Sequence, residues 1–191
     1  MVALANKNLT LPDSNELFNS RTNSDRMGLL VDPVNPAANP DDLPIGVTKS
    51  VVTQGTLKGT YVGLTCAACH TNQLQYKGSQ IRIDGGTANR FDALLWLQTL
   101  SQSLEVPLTK PTAFESLLKR IQERGPVDAN ELRSRLKADA EFIKLQLTNS
   151  FVVPFSPGPG RTDAFTEENN TLAAIHTGIK ANSRPALAPV K

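Results

Sequence analysis

The chain is 191 residues long, 39% hydrophobic, 20% charged and only 5% aromatic, with 12 glycines and 13 prolines. That length suits one domain, and the charge content excludes a disordered polyampholyte. Its 20 basic and 18 acidic residues are spread along the chain for a net +2, which excludes a basic nucleic-acid footprint and a polybasic membrane patch. No apolar run approaches the roughly 18 residues of a membrane span.

The opening stretch MVALANKNLTLPDSNELF has no basic start followed by an apolar run of signal-peptide length. The chain is then either intracellular or a form whose export signal has been removed. Residues 1–50 are rich in Asn, Asp and Pro, and Pro33, Pro36, Pro40 and Pro44 prevent a long helix between 31 and 47. A short helix is expected around Ser14–Ser20, with Leu17 and Phe18 facing inward, and the rest reads as an irregular arm over the surface. Val51–Val52 and Tyr61–Val62 suit short extended pieces. After residues 66–70, Leu74 and Tyr76 precede a Lys77-Gly78-Ser79 turn, and Ile81 and Ile83 alternate beyond it, so a small β-hairpin closed by Gly85-Gly86 is expected.

Three helices follow. The first is expected over about Ala88–Leu104, with Ala93, Trp96, Leu97, Leu100 and Leu104 on one side. Pro111 can start the second, in which Phe114, Leu117, Leu118 and Ile121 repeat at helical spacing until Gly125-Pro126. Asp128 and Glu131 form a capping box for the third, whose apolar stripe is Leu132, Leu136, Ala140, Ile143 and Leu147. The Pro/Gly-rich break FVVPFSPGPG leads to Arg161-Thr162-Asp163, a last short helix over roughly Glu167–His176, and the extended tail NSRPALAPVK.

The chain has two cysteines and two histidines, and three of these four residues fall together as Cys66-Ala-Ala-Cys69-His70. That spacing matches covalent attachment of a c-type haem. Two thiols three residues apart share one side of a helical turn, where each can add across a haem vinyl group, and the next imidazole faces the iron as proximal ligand. A covalently held macrocycle also supplies core that a chain poor in aromatic side chains lacks. Other readings fit less well. A thioredoxin-like pair wants a strand before it and a long helix after it, whereas a hairpin follows. Zinc could take Cys66, Cys69, His70 and His176 by count, but His70 directly adjoins Cys69. A Cys66–Cys69 disulfide closes too short a loop to stabilise much. Because thioethers form outside the cytoplasm, haem attachment makes the expected location periplasmic or extracellular.

The second axial position decides between electron transfer and catalysis. No Met follows His70; the two are Met1 and Met27, and Met27 more simply packs the N-terminal arm down. Three roles are open to His176: distal ligand of a six-coordinate carrier, acid–base group beside an open iron, or solvent-facing helix end. Arg82, Arg90 and Arg161 are candidate partners for the haem propionates. Each is equally a surface arginine or a partner of Asp84 or Asp163. Gly85 and Gly86 suit a close backbone approach or a plain turn, and Trp96 and Phe165 suit either the haem edge or the core.

The stretch GLTCAACHTNQLQYKGSQIRIDGG, with LPIGVTKS before it and GPGRTDAF and ANSRPALAPVK after it, resembles the N-terminal haem segment of di-haem cytochromes related to bacterial cytochrome c peroxidase, most closely the rubber-oxygenase-like branch. The resemblance runs from about Leu43 to the end. It implies that Cys66, Cys69 and His70 hold the active-site haem, and that activity would be peroxide reduction or oxygen-dependent cleavage of an olefin. The chain departs from that family in carrying one CxxCH rather than two and in stopping at Pro189-Val190-Lys191, where relatives continue into a second, electron-relay haem domain. It therefore resembles one half of such a protein.

The expected fold is a mainly α, cytochrome c-like haem domain with a short β-hairpin and irregular Pro-rich segments. It would span 1–191 as a single domain, with 1–50 as arm and 51–191 as the haem-binding helical region. The expected function is electron transfer through one haem c, with a redox partner protein or a second haem domain as partner. The alternatives are an enzyme with an open distal haem site and a non-haem CxxC disulfide or zinc module.

Overall fold

Four prolines and a run of Asn and Asp keep residues 31–46 in turns, without helix or strand, in the computed structural model. The residues described are 9–55, 58–149, 158–162, 169, 172–173 and 176–178. They divide between two compact units, Met1–Phe91 and Asp92–Lys191.

In the first unit, residues 9–18 double back on themselves through backbone hydrogen bonds from Leu11 N–H to Glu16 O (2.9 Å) and Phe18 N–H to Leu9 O (2.8 Å). The helix expected at Ser14–Ser20 instead forms as α1, Arg21–Arg26. Ser20 determines this, because its hydroxyl accepts from Asn23 N–H at the helix N-terminus. Phe18 is buried as expected, and with Leu9, Leu11, Met27, Leu29, Ala68 and Phe91 it forms the core of this unit. Gly28 ends α1 at φ +81°, and a Cβ there would lie 2.0 Å from the Arg90 carbonyl oxygen. Only glycine allows that approach. Arg21 ties the proline-rich turns back to α1 through Asp42 (2.6 Å) and the Asp32 carbonyl (2.6 Å).

β1 (Val47–Val52) and β2 (Gly59–Leu64), built largely from β-branched residues and Tyr61, pair antiparallel from Val47↔Leu64 to Val52↔Gly59. α2 (Cys66–His70) follows directly, and then β3 (Thr71–Tyr76) and β4 (Ser79–Asp84) form the second hairpin, with Leu74 opposite Ile81. Lys77 and Gly78 turn it, both at positive φ (+48° and +80°), as a two-residue hairpin turn of the primed type requires.

The described elements of the second unit are helical. α3 (Ala93–Thr109) starts later than expected because the Asp92 carboxylate caps it, accepting from Leu95 N–H at 2.9 Å. α4 (Pro111–Gln122) begins at Pro111 as expected. α5 (Ala129–Asn149) begins at the expected cap, where Asp128 accepts from Glu131 N–H at 2.8 Å. α3 packs against both α4 and α5. Leu94, Leu100 and Leu104 bury with Phe114, Leu117 and Ile121 and with Leu132, Leu136, Ala140 and Ile143. The short helix expected at Glu167–His176 lies largely outside the described residues.

Five helices and two two-stranded antiparallel sheets among the described residues correct the expected mainly α, cytochrome c-like domain. The unexpected sheet, β1–β2, arises because Val47–Val52 is a continuous strand former with Gly59–Leu64 as its partner, where the sequence suggests isolated extended pieces. The first unit's two helices are only six and five residues long. No helix among the described residues is long and apolar enough to cross a membrane.

Candidate haem-attachment site

A five-residue helix does not persist by itself, because nucleation costs more than its few hydrogen bonds return. α2 is held at both ends by other parts of the first unit. At its start the Thr65 backbone N–H (2.8 Å) and hydroxyl (3.1 Å) both donate to the Gly46 carbonyl. Gly46 is at φ +79°, and a Cβ on it would lie 2.0 Å from Ala68 N and 2.3 Å from Ala68 Cα. β1 thus enters against the backbone of the motif helix, a contact that any side chain at 46 would block.

At the other end the helix carbonyls are taken up by the segment Gly86–Asn89. Gly86 N–H donates to His70 O (3.0 Å) and Asn89 N–H to Cys69 O (2.7 Å). The Asn89 amide nitrogen donates to Ala68 O (2.8 Å) and Thr71 O (2.9 Å), while its oxygen accepts from Phe91 N–H (2.9 Å). Four carbonyls that a helix terminus would leave orphaned are therefore satisfied. Asn72 adds a bond to Thr87 O (2.6 Å), and buried Thr71 donates to the Asp84 carboxylate (3.1 Å).

Positions i, i+3 and i+4 of a helix share a face, so Cys66, Cys69 and His70 lie together while Ala68 turns into the core. Cys66 and His70 are exposed, Cys69 is half-buried, and both thiols are free. Burial pushes the Cys69 thiol up, and neighbouring Cys66 raises it further. The His70 Nδ1 lies 2.9 Å from the Gly86 carbonyl oxygen. A carbonyl has only lone pairs to offer, so Nδ1 is the nitrogen that carries a hydrogen here, and Nε2 is the one turned away from this bond.

The hairpin beyond the motif has two unlike faces. Directly opposed residues of an antiparallel pair share a face, which places Leu74, Tyr76, Ile81 and Ile83 together and Gln73, Gln75, Gln80 and Arg82 on the other side. The four apolar side chains are 41% to 60% exposed. Leu64, two residues before Cys66, is also exposed.

Arg82 donates to Asp32 (2.7 Å) and Gln73 (2.8 Å), and Arg90 pairs with Asp25. Both belong to the first unit with the motif. Arg161 and His176 belong to the second unit and are exposed. Met27 is a core residue of the first unit, 1% exposed. Trp96 is half-buried on α3, and Phe165 and Asp163 lie outside the described residues. Among the described residues no group of three or more His, Cys, Asp or Glu side chains is placed to hold a metal ion. Gly46, Asn89 and the part played by the Gly86 carbonyl are not legible in the sequence, although Gly86 itself suits a close backbone approach. Helical spacing puts Asn89 at the start of the helix expected over Ala88–Leu104, and nothing local ties it to a helix some twenty positions earlier.

No family model matches the chain, and no solved structure matches it. Over 29 residues it is 62% identical to "Uncharacterized protein y4iJ" of Sinorhizobium fredii (strain NBRC 101917 / NGR234), a match covering 15% of this chain and 5% of that protein.

Proposed function

We propose that this protein binds one haem c through Cys66 and Cys69, with His70 as the proximal iron ligand, and that it transfers electrons. The hydrogen bond from His70 Nδ1 to the Gly86 carbonyl carries this reading. Histidines that ligate metals characteristically donate their other ring N–H to a carbonyl or carboxylate, which fixes the tautomer and raises the basicity of the ligating nitrogen. Two free thiols on the same helix face suit the two thioether bonds. A disulfide has no use for an oriented imidazole, and zinc requires a fuller set of protein ligands than a haem does.

When bound, the haem would supply one-electron exchange at its iron. The chain's own part is to anchor and orient it. Cys66 and Cys69 would hold the macrocycle, His70 would present Nε2 to its iron, and the exposed apolar side chains of the first unit are surface suited to a large apolar group. The resemblance of the motif region and of GPGRTDAF to the di-haem peroxidase family, rubber-oxygenase-like branch, makes the partner a redox protein or a second haem domain. Thioether chemistry makes the location periplasmic or extracellular.

The test is expression with an export signal and the haem-attachment machinery. The expected product has one iron per chain and a pyridine haemochrome spectrum of two thioethers, and it loses covalent haem when Cys66 and Cys69 become alanine. Protein recovered without haem overturns the proposal. Carbon monoxide added to the dithionite-reduced protein then separates two modes of use. An unchanged Soret band keeps electron transfer, and a rapid, complete shift makes the protein an oxidoreductase with an open site, acting on peroxide or dioxygen.

A further inference from the structure

We infer that Asn89 is the positioning residue of this site, holding the Gly86 carbonyl where it orients the His70 ring. The inference rests on the reading of His70 as iron ligand. The Asn89 side chain spends both amide hydrogens on the carbonyls of Ala68 and Thr71, which bracket Cys69 and His70, and its backbone N–H reaches Cys69 O between them. Its side-chain oxygen accepts from Phe91 N–H, so the chain beyond is fixed as well. Three residues earlier, Gly86 closes the same segment in both directions, donating to His70 O and accepting from His70 Nδ1. With Asn89 locked on the helix, the short span between them leaves the Gly86 carbonyl little freedom. Ring orientation and tautomer are then set by a side chain that touches neither the imidazole nor a thiol.

The first measurement needs no haem: nitrogen-15 spectra of His70 in the apo protein at about pH 8, where an ordinary imidazole is neutral. The wild type is expected to show the Nδ1–H form. Asn89→Asp keeps the side chain's shape and its acceptor for Phe91 but removes both donors. It is expected to populate the Nε2–H form and, after maturation, to carry roughly tenfold less haem, the low end of what losing such a supporting bond costs a metal site. Asn89→Ala should behave alike. Asn72→Ala, which frees only the bond to Thr87, is expected to leave the tautomer unchanged. The inference is overturned if Asn89→Asp keeps the Nδ1–H form and full haem content, or if Asn72→Ala shifts the tautomer equally. Hydrogen exchange on the wild type decides if a variant does not fold. The Gly86 and Asn89 amides should be protected together, and exchange at loop rates overturns the inference. A wild type that binds no haem sinks the proposed function while leaving the tautomer result standing.

Discussion

Gly46 and Asn89 act on the same short helix from opposite ends, one by lacking a side chain and the other through its backbone N–H and side-chain amide nitrogen. Gly46→Ala places a methyl group 2.0 Å from Ala68 N at φ +79°, so both strain and displacement of α2 are unavoidable. It should destabilise the protein by about 3 kcal/mol, read as a lowered urea midpoint, and an unchanged midpoint would show that β1 does not press on the motif. Asp139 on α5 offers a pH-dependent case. Burial holds its carboxyl above the usual value, and Arg135 only partly opposes this. Because the folded state favours the protonated form, the associated stability is present below the unfolded value near 3.8 and is lost as pH rises through the folded value. Asp139→Asn should therefore raise the melting temperature at pH 7 and leave it nearly unchanged near pH 3. Equal gains at both would assign the effect to packing instead.

Among the elements, those with strong local signals are the ones the sequence describes well. Pro111 opens α4, the Asp128–Glu131 pair opens α5, and the Lys77-Gly78 turn joins β3 to β4, each where the residues say. Ser14–Ser20 is different. Its Leu17-Phe18 pair is buried or half-buried, yet the stretch folds back on residues 9–11 and leaves the helix to start after Ser20. A few apolar residues satisfy a bend as well as a helix. β1 and β2 were legible only as fragments, because a strand is completed by a partner and not by its own periodicity. The β3–β4 face of Leu74, Tyr76, Ile81 and Ile83 is accessible, so replacing Leu74 and Ile81 by lysine should cut binding of an apolar dye such as ANS by about half. Exposed positions contribute little to stability, so the unfolding free energy should change by less than about 0.5 kcal/mol. A large loss would mean that this face is packed in solution.

At the scale of the whole molecule, the motif and its supports all belong to the unit Met1–Phe91, while α3, α4 and α5 belong to Asp92–Lys191. Anything that binds the native state stabilises the part it contacts. Covalent loading should therefore slow hydrogen exchange around 46–52, 64–76 and 84–91, and leave residues 111–149 nearly as in the apo protein; a uniform gain in both would contradict a site confined to the first unit. By itself the sequence determined the chemistry that is possible, since CAACH brings two thiols and an imidazole together through helical spacing alone, and it determined the helices whose caps and stripes are local. What holds that motif, and which imidazole nitrogen meets a carbonyl, follow from the fold. Those depend on hydrogen bonds from Gly46, Gly86 and Asn89, and contacts across some sixteen to twenty-one residues are made by the folded backbone and leave no periodic trace in the chain.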